Sequence, residues 1–367
     1  MPARPTLLFS GMVGAAPWRG GATWAVLQYL IGFRELGWDV WFVEPAGASA
    51  ADYVRCVMTR FGFDGRWALV DGDGSTTGTT RDELLAAARR AELLVNVSGG
   101  LTDAALLDPV PVRAYLDLDP AFVQLWHTAE GVDMRLDAHT HFVTLSDAVG
   151  RTIPDCGRTW LPILPPVVLS HWPFADVLEH RALTTVAHWR GYGSISHDNV
   201  HYGQKAHSLR PLFALPGHVP VALLLALDIH PGETDDLEAL TANGWGLLDP
   251  AEMTATPDAY HGFVAGSLGE FGVAKSGYVV SDSGWFSDRS ACYLASGRPV
   301  IAQETGFSRF LPTGQGLFAF ESQEDVVAAS QELRSDYERH GDAARAIAEE
   351  HFDSDRVLTR LLERVGA

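Results

Sequence analysis

Short apolar segments recur along the chain, and each runs into a polar or glycine-containing loop. In the first half these segments are 6–10, 39–44, 93–97, 112–118 and 142–145. Between them lie stretches such as 22–36, whose apolar residues recur at helical spacing. Strands that alternate with helices form a parallel sheet covered by helices. The pattern predicts a doubly wound α/β domain over residues 1–160.

A second series of the same kind follows a proline-rich segment. Proline fixes φ and lacks an N–H donor, so residues 161–180 are predicted as an extended linker. Residues 181–345 are predicted as a second α/β domain, with strands at 183–188, 221–227, 246–248, 277–280, 299–302 and 317–320. Residues 346–367 have the apolar spacing of a helix.

The segment 275–307 is KSGYVVSDSGWFSDRSACYLASGRPVIAQETGF, and it concentrates the candidate ligand-binding residues. A helix is predicted at 289–295, between the strands at 277–280 and 299–302. Ser287 and Asp288 are residue types that accept hydrogen bonds from the first N–H groups of a helix. Loops after parallel strands bind ligands in open α/β folds, and a helix N-terminus suits a diphosphate. The alternative is an ordinary βαβ unit with a polar surface.

Part of this segment, GWFSDRSACYLASGRPVIAQETGF, resembles the donor-binding part of GT-B glycosyltransferases. Its ASGRPV run is similar to the A-x-G-x-P-V signature of that fold. The resemblance implies two Rossmann-like domains that face a cleft, with the donor held mainly by the second domain and the acceptor by the first. It also implies a C-terminal helix that crosses back onto the first domain. The E-x7-E motif of the large retaining group is absent, since Cys292 precedes YLASGRPV, so the stereochemical outcome does not carry over.

The resemblance also assigns donor-binding roles. Arg190 and Lys205 are the basic residue types that GT-B enzymes place against the diphosphate, and Trp189 is a candidate for stacking on the base. The other candidates are Gly20, Gly21, Lys275, Tyr278, Ser287, Asp288, Arg289, Ser290, Gln303, Glu304, Thr305 and Gly306. Each also has a structural interpretation, namely a solvated cation, a packed aromatic ring or a loop that needs positive φ.

The catalyst of a sugar transfer is either a base for the acceptor proton or a polar face that stabilises a cationic transition state. Asp119, at a strand end before Pro120, is our candidate, and His127 is the second. Both residue types are common in structural roles. A metal at His139 and His141 has no identifiable third ligand, and GT-B enzymes generally need none. We therefore expect no metal and no cofactor besides the nucleotide sugar as co-substrate.

Charge and composition limit the partners and the location. A net charge of −19 repels polyanions, which predicts that no nucleic-acid polymer binds. No window has the roughly 18 apolar residues of a membrane span, and no secretory signal is evident. The three cysteines lack metal-ligand spacing. We expect a cytoplasmic enzyme with a small-molecule or glycan acceptor, and the oligomeric state stays open.

The sequence therefore favours a hexosyltransferase-like glycosyltransferase. A nucleotide-sugar epimerase of the same architecture and a non-catalytic nucleotide- or sugar-binding protein are the alternatives. An NAD-dependent oxidoreductase is disfavoured, because neither half has G-x-G-x-x-G with an acidic residue about 20 positions later.

Overall fold

A computed structural model describes residues 4–367, and its framework is two separate parallel sheets. The strands of the first sheet are β1 (Thr6–Ser10), β2 (Asp39–Pro45), β3 (Trp67–Val70), β4 (Thr76–Gly78), β5 (Ala91–Val97), β6 (Val112–Asp117), β7 (His141–Thr144) and β8 (Trp160–Pro162). Their order is β4-β3-β2-β1-β5-β6-β7-β8, and only β3 and β4 pair antiparallel. The first half therefore forms the parallel sheet that the sequence predicts.

Helices cover both faces of the first sheet because its central strands are apolar on both sides. Along β1, Leu7 and Phe9 pack into one core and Leu8 packs into another, as expected when successive side chains point to opposite faces. The helices of this half are α1 (Gly20–Glu35), α2 (Ala51–Arg60), α3 (Arg81–Arg90), α4 (Ala104–Leu107) and α5 (Phe122–Thr128).

The second sheet is parallel throughout, in the order β13-β12-β9-β14-β15-β16. Its strands are β9 (His180–His188), β12 (Ala222–Asp228), β13 (Gly246–Leu248), β14 (Ser267–Gly272), β15 (Val300–Gln303) and β16 (Leu317–Phe320), and β10 (Ile195–His197) and β11 (Val200–Tyr202) form a separate hairpin. The helices are α6 (Lys205–Leu209), α7 (Thr234–Ala242), α8 (Pro250–Met253), α9 (Pro257–Gly266), α10 (Ser276–Val280), α11 (Asp288–Ala295), α12 (Gln323–Ser335), α13 (Tyr337–Ile347) and α14 (Ser354–Val365).

The strand predicted at 277–280 is wrong. These residues belong to α10, and the strand that pairs with β9 and β15 is β14, with the sequence SLGEFG. Two residues inside β14, Gly269 and Glu270, have low strand propensity, so the sequence does not indicate a strand here. A side chain at Gly269 has no room, since its Cβ would lie 2.5 Å from the Pro299 carbonyl oxygen. Glu270 is fully buried, and its charge is paired with Arg289, which is distant in sequence.

The chain crosses between the sheets twice, and the two crossings are bonded to each other. The first crossing, which contains the predicted linker, is partly packed against the rest of the protein, because Val167, Val168 and Trp172 are buried. The second follows α13. Val167 N donates to the Phe352 carbonyl (2.7 Å), and Ser354 N donates to the Val167 carbonyl (2.9 Å). These two bonds form a short ribbon between the halves.

The last helix, α14, returns to the first sheet, as predicted. Its residues Ser354 and Leu358 lie against Gly32 of α1, where a Cβ would come within 2.6 Å of Leu358 Cδ1. Arg364 donates to the Pro162 carbonyl at the end of β8 (3.0 Å). No helix within residues 4–367 is long and apolar enough to cross a membrane.

Helix α1 also packs against the second half. Gly20 N donates to the Thr254 carbonyl (2.8 Å), and the Trp24 indole N–H donates to the Pro257 carbonyl (2.8 Å). A Cβ at Gly20 would lie 2.2 Å from the Thr256 carbonyl oxygen, so this close contact requires glycine. Most of α1 is buried, which fits a helix enclosed by both halves.

Candidate active site

A small pocket lies at the carboxyl ends of β14 and β15, beside the N-terminus of α11. It is lined by Gly272, Val273, Ala274, Trp285, Phe286, Ser287, Arg289, Ser290, Ala302, Gln303, Thr305 and Phe307. Five of the predicted donor residues are among these, namely Ser287, Arg289, Ser290, Gln303 and Thr305. The structure thus brings these five residues together, and their role in donor binding stays a prediction.

The first turn of α11 is not capped in the way that the sequence suggests. Ser287 is the N-cap residue, but its side chain makes no capping hydrogen bond to the residues that the structure describes. The pKa of Asp288 is raised by burial, and the neighbouring Arg289 offsets only part of this shift.

Arg289 is held rigidly by two partners. Its Nε donates to Glu270 Oε1, and its Nη1 donates to the Val186 carbonyl oxygen (3.1 Å). Burial lowers the pKa of Arg289, but the charge and hydrogen bond of Glu270, together with the nearby Tyr260 and Tyr293, outweigh this and raise the pKa above its usual value. Its Nη2 donates to none of the residues 4–367. The guanidinium is therefore charged, fixed in place and able to offer one edge to a ligand.

Lys205 lies against the backbone segment that carries Lys275. Lys205 Nζ donates to the carbonyl of Val273, which lines the pocket. Burial, together with repulsion from Arg289 and Lys275, lowers the pKa of Lys205 well below its usual 10.5. The basic side chains of Arg289, Lys205 and Lys275 thus lie near the carboxyl end of β14, in a chain with a net charge of −19.

Asp119, the predicted catalyst, bridges the two halves. Its Oδ1 lies 2.6 Å from Lys275 Nζ and accepts hydrogen bonds from the hydroxyls of Tyr192 (2.7 Å) and Tyr278. Burial would raise the pKa of Asp119, but the Lys275 charge and these hydrogen bonds hold it below the usual value. The carboxylate is therefore a weak base while these contacts persist.

Asp117 fixes the loop that carries Asp119. This fully buried carboxylate accepts hydrogen bonds from Asp119 N (2.9 Å), Gln124 Nε2 (2.8 Å) and Thr144 Oγ1 (2.9 Å). Burial raises the pKa of Asp117 to about 6.

Several other predicted donor-binding residues do not line the pocket and already contact other side chains. Arg190 pairs with Glu233, and Trp189 is buried, where it donates to Asp236 (2.9 Å). The Tyr278 ring is buried and stacks on Trp285 (4.4 Å between ring centroids), so it offers no open face to a base in this structure.

The remaining candidates form turns or packing contacts. Glu304 accepts hydrogen bonds from the N–H groups of Gly306 and Ser308 and thereby closes the turn after β15. Gly20 and Gly21 lie against Thr256 and Tyr260 rather than beside the pocket, which explains the glycines by close helix packing. His127, in the last turn of α5, lies 3.3 Å from the Val132 carbonyl oxygen.

Glu44 is a buried acidic residue whose role in fixing the loop after β1 is not evident from the sequence. Its buried carboxylate accepts hydrogen bonds from the backbone N–H groups of Val13 (2.9 Å), Gly14 (2.7 Å) and Ala15 (2.6 Å). A row of backbone N–H groups of this kind often binds an anionic ligand, but here the Glu44 side chain accepts all three hydrogen bonds. The signal was an acidic residue at the end of an otherwise apolar strand.

His139 is explained without a metal. It lies within 3.0 Å of Asn96 Nδ2 and of the Arg135 carbonyl oxygen, and burial lowers its pKa to about 4. Within the described part of the chain, no group of three or more His, Cys, Asp or Glu side chains is arranged to hold a metal ion.

Comparisons with solved structures locate this architecture among known folds. No protein-family model and no curated protein matches the sequence. Anabaena Alr3699/HepE in complex with UDP-glucose aligns over 98% of this chain and 99% of its own, at 14% identity and a TM-score of 0.62. An alpha-glucosyltransferase (AGT) in complex with UDP aligns over 100% of both chains, at 12% identity and a TM-score of 0.63. The chain has the GT-B fold.

The predicted two-domain GT-B architecture is thus confirmed. The same alpha-glucosyltransferase in complex with UDP and a 13-mer DNA aligns over 100% of both chains, at 12% identity and a TM-score of 0.60. GT-B proteins with DNA bound therefore occur among the structural neighbours. Our expectation that no nucleic acid binds this chain rests on its net charge alone and stays a prediction.

Proposed function

We propose that the protein transfers a sugar from a nucleoside-diphosphate sugar to an acceptor bound between its two sheets. The observation that carries this proposal is the fixed guanidinium of Arg289, which lies beside Lys205 and Lys275 at the carboxyl end of β14. A chain with a net charge of −19 is a poor general binder of anions. A local cluster of cations at a helix start suits one diphosphate.

The same cations would promote the reaction. Negative charge grows on the diphosphate as the bond to the sugar breaks, so fixed cations stabilise the transition state more than the ground state. The proposal assigns this charge stabilisation to side chains of the chain and needs no metal ion. Uridine is the proposed base, because the complexes of the structural neighbours contain UDP.

Asp119 remains our candidate for the base that takes the acceptor proton. In this role it has to leave Lys275, and the donor diphosphate is the anion that would replace it on that ammonium. His127, on α5, is the second candidate. The acceptor is proposed to be a small molecule or a glycan, and a cytoplasmic location stays part of the proposal.

The test uses UDP-glucose as the donor. A thermal-shift comparison of UDP, GDP, dTDP and NAD should show stabilisation by UDP, because a ligand that binds only the folded state stabilises it. Wild-type protein with UDP-glucose and an acceptor panel should release UDP, and Arg289→Ala should abolish this release. Stabilisation by NAD alone, or conversion of UDP-glucose to its epimer without acceptor, would refute the proposal.

A further inference from the structure

The loop between β1 and α1 exposes apolar side chains at the carboxyl edge of the first sheet. Residues 11–18 are GMVGAAPW and contain no charged residue, in a chain that is 20% charged. Met12 is 45% exposed and Trp18 is 56% exposed. Within residues 4–367 only seven large apolar side chains are exposed, and this loop carries two of them.

The backbone N–H groups of this loop are not available to bind an anionic ligand. The N–H groups of Val13, Gly14 and Ala15 all donate to the buried Glu44 side chain, so none of the three is free for a ligand. A phosphate at this position would meet occupied donors and a buried acid. What the loop offers to a ligand is its apolar side chains.

Trp18 is fixed in an unusual conformation. Its φ is 61°, in the left-handed region that non-glycine residues rarely adopt. The indole packs on the Tyr53 ring, with 4.8 Å between centroids, and the Tyr53 hydroxyl is hydrogen-bonded to Thr23 Oγ1 (2.7 Å). Strain of this kind collects at functional sites. The indole thus has a rigid support on one side and is half exposed.

The next residue reaches across to the second half. Arg19 Nη1 lies 2.9 Å from Asp228 Oδ2, at the carboxyl end of β12. Trp18 therefore stands beside the cleft, next to a contact between the two halves. Because Arg19 is already paired with Asp228, it is a poor partner for an acidic acceptor.

We propose that Met12 and Trp18 bind the acceptor of the transfer, and that this acceptor presents an uncharged planar ring to the Trp18 indole. The inference rests on the proposed function, since it names the acceptor class for the same cleft. Flat rings pack well on aromatic side chains, and the loop lacks any group that would select a phosphate or a carboxylate.

The probe for the test is 4-methylumbelliferyl β-D-glucoside, which carries an uncharged planar ring. Its binding to the full-length protein saturated with UDP is measured by calorimetry. The wild type should bind it saturably, and Trp18→Ala should weaken binding about tenfold or more. Trp18→Phe should restore most of the affinity, and Phe174→Ala, which changes an exposed aromatic residue of the first crossing, should leave it unchanged.

Three outcomes overturn the inference while UDP still binds. They are no saturable binding of the probe, equal binding by the wild type and Trp18→Ala, and tighter binding of 4-methylumbelliferyl phosphate than of the glucoside. Thermal melts of each variant show that it is folded. If UDP itself does not bind the wild type, the proposed function fails instead, so the two failures are distinguished.

Discussion

Arg289 and Glu270 form the buried ion pair behind the proposed donor site, and this pair gives the sharpest test at the level of single residues. Arg289→Lys keeps the charge but loses the fork that contacts both Glu270 and the Val186 carbonyl. We expect about 10- to 100-fold weaker UDP binding by calorimetry, because a flexible ammonium cannot reproduce fixed two-point geometry.

The control for this prediction is Arg66→Lys, which alters a partly exposed pair with Asp39 and should leave UDP affinity unchanged. Arg289→Ala should also lower the free energy of unfolding by about 3–5 kcal/mol, because it leaves the Glu270 charge buried and alone. Normal UDP affinity in Arg289→Lys would remove this residue from the donor site.

Lys205 predicts a pH dependence of donor binding. Its pKa lies well below 10.5, so its ammonium loses the proton as pH rises through the range below that value. A bound diphosphate favours the charged form, so UDP affinity should fall as pH rises toward 10.5, the ordinary pKa of a lysine. Arginine stays protonated over this range, and Lys205→Arg should therefore remove most of the dependence. An identical pH profile in both proteins would contradict the prediction.

Much of this site follows from local sequence, and the rest depends on distant partners. The GWFSDRSACYLASGRPV segment predicts α11 and the loop after β15, because a polar helix start and an apolar strand are local patterns. Residue type alone suggests that Trp189 and Arg190 bind the donor, but in the structure Trp189 donates a hydrogen bond to Asp236 and Arg190 forms an ion pair with Glu233. These partners lie more than 40 residues away, where spacing gives no information.

At the level of elements, Gly20 at the start of α1 is a predicted donor-binding residue, and it is also required for close packing against the second half. A Cβ at Gly20 would overlap the Thr256 carbonyl, which is backbone and has little freedom to move. Gly20→Ala should therefore separate α1 from α8 and α9 and lower the melting temperature by several degrees.

Gly262→Ala is the matched control for this prediction. Gly262 lies inside α9, and no atom beyond its own neighbourhood lies within 4 Å of an added Cβ. Alanine should stabilise that helix by about 0.5–1 kcal/mol. Equal melting temperatures for Gly20→Ala and the wild type would show that the close contact is not needed.

The strands of the second sheet show which elements sequence reasoning recovers. β12, β15 and β16 are apolar runs and were predicted within one or two residues. β14 was missed, because a glycine and a charged residue stand in its interior for reasons of tertiary packing. The short apolar run 277–280 suggests a strand, but a run of that length fits a buried helix equally well, and the structure forms the helix α10 there.

For the whole molecule, five ion pairs within residues 4–367 join the two halves. They are Arg19 with Asp228 (2.9 Å), Lys275 with Asp119 (2.6 Å), Arg309 with Asp147 (2.7 Å), Arg60 with Asp258 (3.2 Å) and Arg151 with Asp282 (4.0 Å). Only the second uses a cation that we assign to the donor. Donor binding should therefore compete with the Asp119 carboxylate for Lys275.

Asp119→Asn tests this competition. Loss of the carboxylate charge should free Lys275 and tighten UDP binding about 3- to 10-fold, because no internal anion then has to be displaced. Transfer to an acceptor should be lost if Asp119 is the base. Asp147→Asn breaks a comparable pair away from the donor cations and should leave UDP affinity unchanged. Weaker UDP binding in Asp119→Asn than in Asp147→Asn would contradict the model.

The bonded crossings at Val167 and Ser354 have a practical consequence for observing such rearrangements. Because α14 rests on α1, a fluorophore attached at the carboxyl terminus travels with the first sheet. A second dye on the outer surface of α7 travels with the other sheet. Energy transfer between the two dyes would then report directly on any change in the distance between the two sheets.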